Sequence, residues 1–164
     1  MKPARWTLAL ALAAAGGVGT AHAEVCGDAV QKADIAGSAM ARCMASERRD
    51  VAVLACTELI LACQRDDHWL EQLHIARASA HLQNFIASGD RRNEDAALKD
   101  LAFVLSFNPE SDLAYAKRGD VYKAAGDMGQ AAGDYKTALA KSHDQKLRAV
   151  VSEKLRTINT RDSR

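Results

Sequence analysis

Two stretches of the chain, 96–109 and 130–143, repeat one pattern of small and apolar residues. Equivalent positions lie 34 residues apart: Ala97 corresponds to Ala131, Leu101 to Tyr135, Val104 to Ala138 and Pro109 to His143. A single unit of this length cannot bury its apolar face without neighbouring copies that cover it. The repetition therefore predicts a stack of similar units.

The units are predicted to be helical. Between residues 28 and 158, alanine, leucine, lysine, arginine and glutamate dominate and β-branched residues are sparse. Turn-forming residues interrupt this pattern near 45–50, 64–68, 88–95, 108–111, 125–129 and 141–144. These breaks separate six helices of about 12 to 20 residues, and a seventh helix follows the last break.

The stretch 114–139 extends the match upstream. Its distinctive positions are Tyr115, Arg118, Gly119, Tyr122, Ala131 and Tyr135. They resemble the W-x2-L-G-x2-Y…A-x3-F signature of the tetratricopeptide repeat, with Arg118 standing where that signature has leucine. The resemblance implies that Gly119 and Ala131 lie where two antiparallel helices approach most closely, while the tyrosines fill the flanking gaps.

The resemblance also implies an all-α fold: a right-handed superhelical stack of about three helix-turn-helix hairpins plus a C-terminal capping helix. Its parts would be a domain at 24–159, repeats at about 33–66, 67–110 and 111–143, a cap at 144–158 and a frayed tail at 160–164. The repeat-defining positions would be Ala97, Leu101, Pro109, Tyr115, Gly119, Tyr122, Ala131, Tyr135 and Ala138. The cap carries one apolar stripe, formed by Leu147, Val150, Val151, Leu155 and Ile158.

The second repeat can be aligned in two ways. In one, Ala78 corresponds to Gly119 and His81 to Tyr122, which leaves seven extra residues before Ala97. In the other, Phe85 corresponds to Tyr122 and three residues are inserted. The residues alone favour neither alignment.

Four cysteines lie in the first 63 residues: Cys26, Cys43, Cys56 and Cys63. An even number predicts two disulfides if the chain is exported, as its first 23 residues indicate below. Cys56 and Cys63 would lie about 10 Å apart on one helix, which is too far for a bridge. In the repeat alignment Cys43 and Cys56 take the slots of Tyr122 and Tyr135, which face each other, so the expected pairs are Cys43–Cys56 and Cys26–Cys63.

The first 23 residues have the features of a cleavable signal peptide. Lys2 and Arg5 precede an apolar run, and Ala21-His22-Ala23 is a typical cleavage site. Without residues 1–23 the chain would carry 20 basic and 21 acidic residues, a net charge of −1. We therefore expect a periplasmic or secreted protein with no basic excess for nucleic acid and no membrane insertion after cleavage.

No catalytic motif is found in the sequence. The G-x-S-x-G, P-loop, G-x-G-x-x-G, H-E-x-x-H and C-x-x-C patterns are all missing. His68, His74 and His81 share one helix without ligand spacing, and His81 is expected to fill an aromatic slot. We therefore predict neither an enzyme nor a cofactor or metal site.

Stacked hairpins form a concave surface that is lined by the first helix of each pair. The resemblance implies that this groove binds a protein or peptide partner, as in an exported adaptor or accessory subunit. In the third repeat the expected groove residues are Leu113, Ala116, Asp120, Lys123 and Ala124. In the second repeat, with Ala78 aligned to Gly119, they are Gln72, Ile75, Ser79, Leu82 and Gln83. Two alternatives stay open: a self-assembling module that forms a homodimer, and a metal or thiol protein that uses the cysteines.

Overall fold

The structure is a computed structural model that describes residues 39–45, 47–63 and 67–162. These residues form seven α-helices and no strand: α1 Ala39–Ala45, α2 Arg49–Ala62, α3 Asp67–Ser88, α4 Arg91–Phe107, α5 Asp112–Ala125, α6 Met128–Lys141 and α7 Gln145–Asp162. The all-α prediction is thus confirmed for the described part of the chain. The predicted signal peptide, Cys26 and the end of the predicted tail lie outside it.

Consecutive helices pack as hairpins. Hairpin 1 is α1 with α2, hairpin 2 is α3 with α4, and hairpin 3 is α5 with α6, while α7 packs against α6. The first helices also contact one another, α1 with α3 and α3 with α5. The first helices of the three hairpins therefore lie side by side on one face of the molecule.

Hairpins 2 and 3 turn at the same dipeptide, Gly-Asp. Gly89 and Gly126 have φ values of 71° and 88°, the left-handed conformation that ends a helix and that glycine adopts without strain. The aspartate that follows each glycine caps the next helix: Asp90 accepts from the backbone N–H of Arg92, and Asp127 from that of Gln130. In hairpins 2 and 3, therefore, a glycine ends the first helix and an aspartate begins the second.

The core is a row of three apolar clusters, each shared by three consecutive helices. Cys56 and Leu59 belong to the cluster of α1, α2 and α3. The cluster of α3, α4 and α5 contains Leu101 and Val104, and that of α5, α6 and α7 contains Tyr135. Such a row is what stacked units with nearest-neighbour contacts produce.

Most of the repeat-defining positions are buried between helices. Ala97, Leu101, Ala131, Tyr135 and Ala138 are at most 1 % exposed. Gly119 is also buried, Tyr115 and Tyr122 are half-buried, and Pro109 is exposed in the turn between α4 and α5. In the capping stripe, Val151 and Ile158 are buried, whereas Val150 is 52 % exposed and does not face the stack.

Two arginine–aspartate pairs resolve the alignment of the second repeat. In hairpin 3, Arg118 donates to Asp134 at 2.7 and 2.8 Å, across 16 residues of sequence. In hairpin 2, Arg77 donates to Asp100 at 2.9 and 2.6 Å, across 23 residues. Each arginine directly precedes the small residue of its helix, so Ala78 is equivalent to Gly119. The difference of seven residues is the insertion that this alignment requires.

Gly119 lies at the closest approach of α5 and α6. A Cβ atom at this position would lie 2.6 Å from Cε1 of Tyr135 and 3.3 Å from the carbonyl oxygen of Ala131. The ring of Tyr135 is fully buried, and its hydroxyl donates to Asp120 at 2.7 Å. The ring therefore has little room to move, and only glycine fits opposite it.

We expect Gly119→Ala to lower the melting temperature, because overpacking costs about 1–3 kcal/mol. The removal of a helical glycine contributes only about 0.5–1 kcal/mol in the other direction. Gly133→Ala is the matched control, since the added Cβ meets nothing within 4 Å and should stabilise the protein. Thermal unfolding followed by circular dichroism compares the two variants. Equal melting temperatures would contradict the close packing at Gly119.

Candidate functional site

The face of the first helices contains a cleft between α3 and α5 with a basin at each end. The N-terminal basin has a volume of about 510 Å³ and is lined by Met44, His68, Glu71, Gln72, Ile75, Ala76, Asp112 and Leu113. The C-terminal basin has a volume of about 620 Å³ and is lined by Leu82, Gln83, Phe85, Ile86, Gly89, Asp120, Lys123 and Ala124. All three hairpins contribute to this cleft, since Met44 belongs to α1.

Eight of the ten expected groove residues line one of these basins. Gln72, Ile75 and Leu113 line the N-terminal basin, and the C-terminal basin is lined by Leu82, Gln83, Asp120, Lys123 and Ala124. Ser79 and Ala116 line neither; the Ser79 hydroxyl donates to the carbonyl of Ile75 at 2.9 Å, and Ala116 is buried. The spacing along α3 and α5 thus brought most of the expected residues to one cleft.

The expected groove residues differ in what they offer to a partner. Ile75 and Leu82 are 5 % and 7 % exposed, so they form the floor of the cleft. Leu113 is 39 % exposed at its edge. Gln72, Gln83 and Ala124 are also exposed.

Asp120 has a structural function that its position on α5 did not indicate. Its carboxylate accepts from the hydroxyl of Tyr135 and from Lys154 Nζ of α7, the latter at 2.6 and 2.8 Å. Lys154 lies 34 residues after Asp120, the same spacing as between equivalent positions of the repeat. Burial of Tyr135 and its bond to Asp120 raise the pKa of the tyrosine hydroxyl well above its usual value. Asp120 therefore links α5, α6 and α7 instead of offering a free charge.

Three large apolar residues of the cleft were not predicted from the sequence: Met44, Phe85 and Ile86. Ile86 is 61 % exposed and Met44 is 47 % exposed. Ile86 follows Leu82 by four residues and Gln83 by three, so it continues the same helical stripe. It had no counterpart in the third repeat, because α3 has 22 residues and α5 has 14.

The two basins differ in charge. The N-terminal basin has two carboxylates, Glu71 and Asp112, and no lysine or arginine among its described lining residues. In the C-terminal basin, Asp120 is paired with Lys154, which leaves Lys123 as the unmatched charge of that lining. The cleft is therefore acidic at one end and basic at the other.

The cysteines of hairpin 1 hold α1 against α2. Cys43 and Cys56 are joined by a disulfide with an S–S distance of 2.07 Å, as their positions in the repeat predicted. Cys63 is also disulfide-bonded, and its expected partner, Cys26, lies outside the described residues. In the described ranges, no group of three or more histidine, cysteine, aspartate or glutamate side chains is placed to hold a metal ion.

A buried polar network connects the first two hairpins. His74 Nδ1 lies 2.8 Å from Asp100 Oδ1, and Arg77 bonds the same carboxylate. Arg77 also donates to the hydroxyl of Thr57 on α2 at 3.0 Å. The ring of His74 packs against that of Phe103 at 4.4 Å between centroids. The network therefore aligns α2, α3 and α4.

Burial by itself raises the pKa of the Asp100 carboxyl, but the hydrogen bonds from Arg77 and His74 outweigh burial, so the pKa lies below its ordinary value of 3.8. A depressed pKa means that the folded state favours the carboxylate. The stability that it contributes is present at neutral pH and is lost as the pH falls through the lowered pKa.

Comparison with protein-family models and with curated proteins finds no match to this chain. None of the described helices combines the length and the apolar composition that a membrane span requires.

We expect Asp100→Asn to lower the free energy of unfolding at pH 7 by about 3 kcal/mol, because Arg77 would lose the carboxylate that balances its charge. The difference from the wild type should persist down to about pH 4 and shrink below it, since the wild-type carboxylate then takes up a proton. Urea unfolding at pH 7, 5 and 3 measures this difference. Asp95→Asn, on the exposed side of α4, is the control and should change stability by less than about 0.5 kcal/mol. A stability difference between the two proteins that stayed constant down to pH 3 would contradict the lowered pKa of Asp100.

Proposed function

We propose that the chain is an exported tetratricopeptide-type interaction module that binds a segment of a partner protein in the α3–α5 cleft. The proposal extends the observed helical hairpins to a right-handed superhelical stack with a concave face. It is supported by the repeated Arg–Asp pairs, the repeated Gly-Asp turns and the contacts between first helices. These features give hairpins 2 and 3 one common geometry.

The observation that carries the binding function is the set of exposed apolar side chains around the cleft. Met44, Ile86 and Leu113 belong to three different helices, and each is at least 39 % exposed. Exposed apolar side chains that gather at one concavity mark an interaction site more often than scattered ones do. A partner segment that covers these three side chains would bury apolar area on a preformed surface.

The proposal includes an extracytoplasmic location and no catalysis. A buried disulfide within hairpin 1 is typical of proteins that fold in an oxidising compartment. The cleft is lined by apolar side chains together with glutamines, a histidine and a few charged side chains. Its residues suit the recognition of a segment, with the partner supplying the complementary groups.

A pair of cleft variants tests the binding function. Ile86→Asp and Leu113→Asp place a charge in the C-terminal and N-terminal basins, and each should reduce capture of the partner at least about tenfold. Val150→Asp makes the same change at a 52 % exposed position on α7 and should leave capture unchanged. The measurement is quantitative mass spectrometry of proteins that the oxidised chain retains from an envelope extract. Equal capture by all four proteins would contradict the cleft as the binding site.

One observation favours self-assembly as a second candidate function. Leu54 and Leu61 on α2 are 65 % and 63 % exposed and lie seven residues apart, which places them on one side of the helix. A second copy could cover this side. Light scattering during size-exclusion chromatography should then give the mass of a dimer for the wild type and of a monomer for Leu61→Asp. A wild-type monomer at high concentration would exclude this candidate.

A further inference from the structure

We propose that the N-terminal basin binds a cationic-apolar segment of the partner: an apolar side chain seated against Leu113, with an adjacent lysine or arginine near Asp112. This inference rests on the proposed function and specifies the chemistry of the partner. It does not depend on the partner's identity.

Side chains from three helices form the apolar part of this basin. Met44 of α1 and Leu113 of α5 are 47 % and 39 % exposed, while Ile75 of α3 forms the floor at 5 % exposure. The volume of about 510 Å³ is large enough for a side chain of leucine or phenylalanine size together with part of the adjoining backbone. The disulfide between Cys43 and Cys56 holds α1, and therefore Met44, against α2.

The negative charges of Glu71 and Asp112 are not balanced by a lysine or arginine among the described lining residues of this basin. Glu71 accepts from Asn108 Nδ2 at 2.8 Å and from the hydroxyl of Ser111 at 2.6 Å, and both donors are neutral. These bonds fix the carboxylate without neutralising it. Asp112, in the first turn of α5, forms no ion pair among the described residues. A lysine or arginine next to the seated apolar side chain would be attracted here, and a carboxylate would be repelled.

The opposite end of the cleft indicates which end of the segment carries the basic residue. Gln72 and Leu82 are ten residues apart on α3, so the two basins are separated by about 15 Å along the helix axis. About four to five residues of extended chain cover this distance. The unmatched charge of the C-terminal basin is that of Lys123, so the basic residue of the segment is expected at the Asp112 end of the cleft.

The probe for this inference is a displayed library of random 12-residue peptides, selected on the oxidised chain of residues 24–164. We expect the enriched peptides to carry lysine or arginine within about three positions of a large apolar residue. A synthetic peptide of the most enriched sequence is then titrated by fluorescence anisotropy. Asp112→Lys should weaken its binding at least about tenfold, and added salt should weaken binding to the wild type more than to the variant.

Asp95→Lys is the matched control, because it reverses the same charge on an exposed part of α4 and should change the affinity by less than about twofold. Asp112→Asn, which keeps the shape of the side chain, should give an intermediate affinity, and circular dichroism verifies that each variant is folded. Enriched peptides that are acidic or uncharged, or equal affinities for Asp112→Lys and the wild type, would overturn this inference while leaving peptide binding in place. A selection that enriches no peptide would overturn the proposed function as well.

Discussion

An ion pair sets how far the second helix is shifted along the first in hairpins 2 and 3. The pair is Arg77 with Asp100 in hairpin 2 and Arg118 with Asp134 in hairpin 3. A partly buried ion pair adds little net stability, because desolvation offsets most of the attraction. It does select one register, since a shift of one turn would leave both charges without a partner. The aspartate directly precedes the large residue, Leu101 or Tyr135, that packs near the small residue of the first helix. The charge pair and the packing therefore require the same offset, and the cleft between α3 and α5 depends on it.

The features that could be predicted best from the sequence are those that depend on a few residues within one hairpin. The turns at Gly89-Asp90 and Gly126-Asp127 follow from backbone conformation and capping, which depend on a few neighbouring residues. The contact of Gly119 with Tyr135 follows from the size of a ring that must fit between two helices. The Cys43–Cys56 bridge occupies the slots that face each other in the repeat. Each of these features is set within one hairpin, so a single repeat alignment was sufficient to predict it.

Features that depend on the packing between elements were not predictable in the same way. Arg118 was identified as a departure from the repeat signature, yet it is half of the pair that recurs in hairpin 2. Asp120 was expected in the groove and lies there, but its bond to Lys154 was not predicted, because this contact depends on where α7 lies. The exposure of Val150 and the network of His74 with Asp100 likewise depend on neighbouring helices. A sequence pattern indicates which face of a helix is apolar, but it does not indicate which neighbouring helix packs against that face.

The ends of the cleft are shaped by the unequal lengths of α3 and α5. Measured from the equivalent residues Ala78 and Gly119, α3 extends four residues further than α5 at each end, about 6 Å at a rise of about 1.5 Å per residue. His68 of the N-terminal basin and Ile86 of the C-terminal basin both lie on these extensions. Ile86 is exposed because α5 ends before it could cover that turn. The seven-residue insertion, which weakens the repeat in the sequence, therefore lengthens α3 at its C-terminal end and places Ile86 in the C-terminal basin at the tip of hairpin 2.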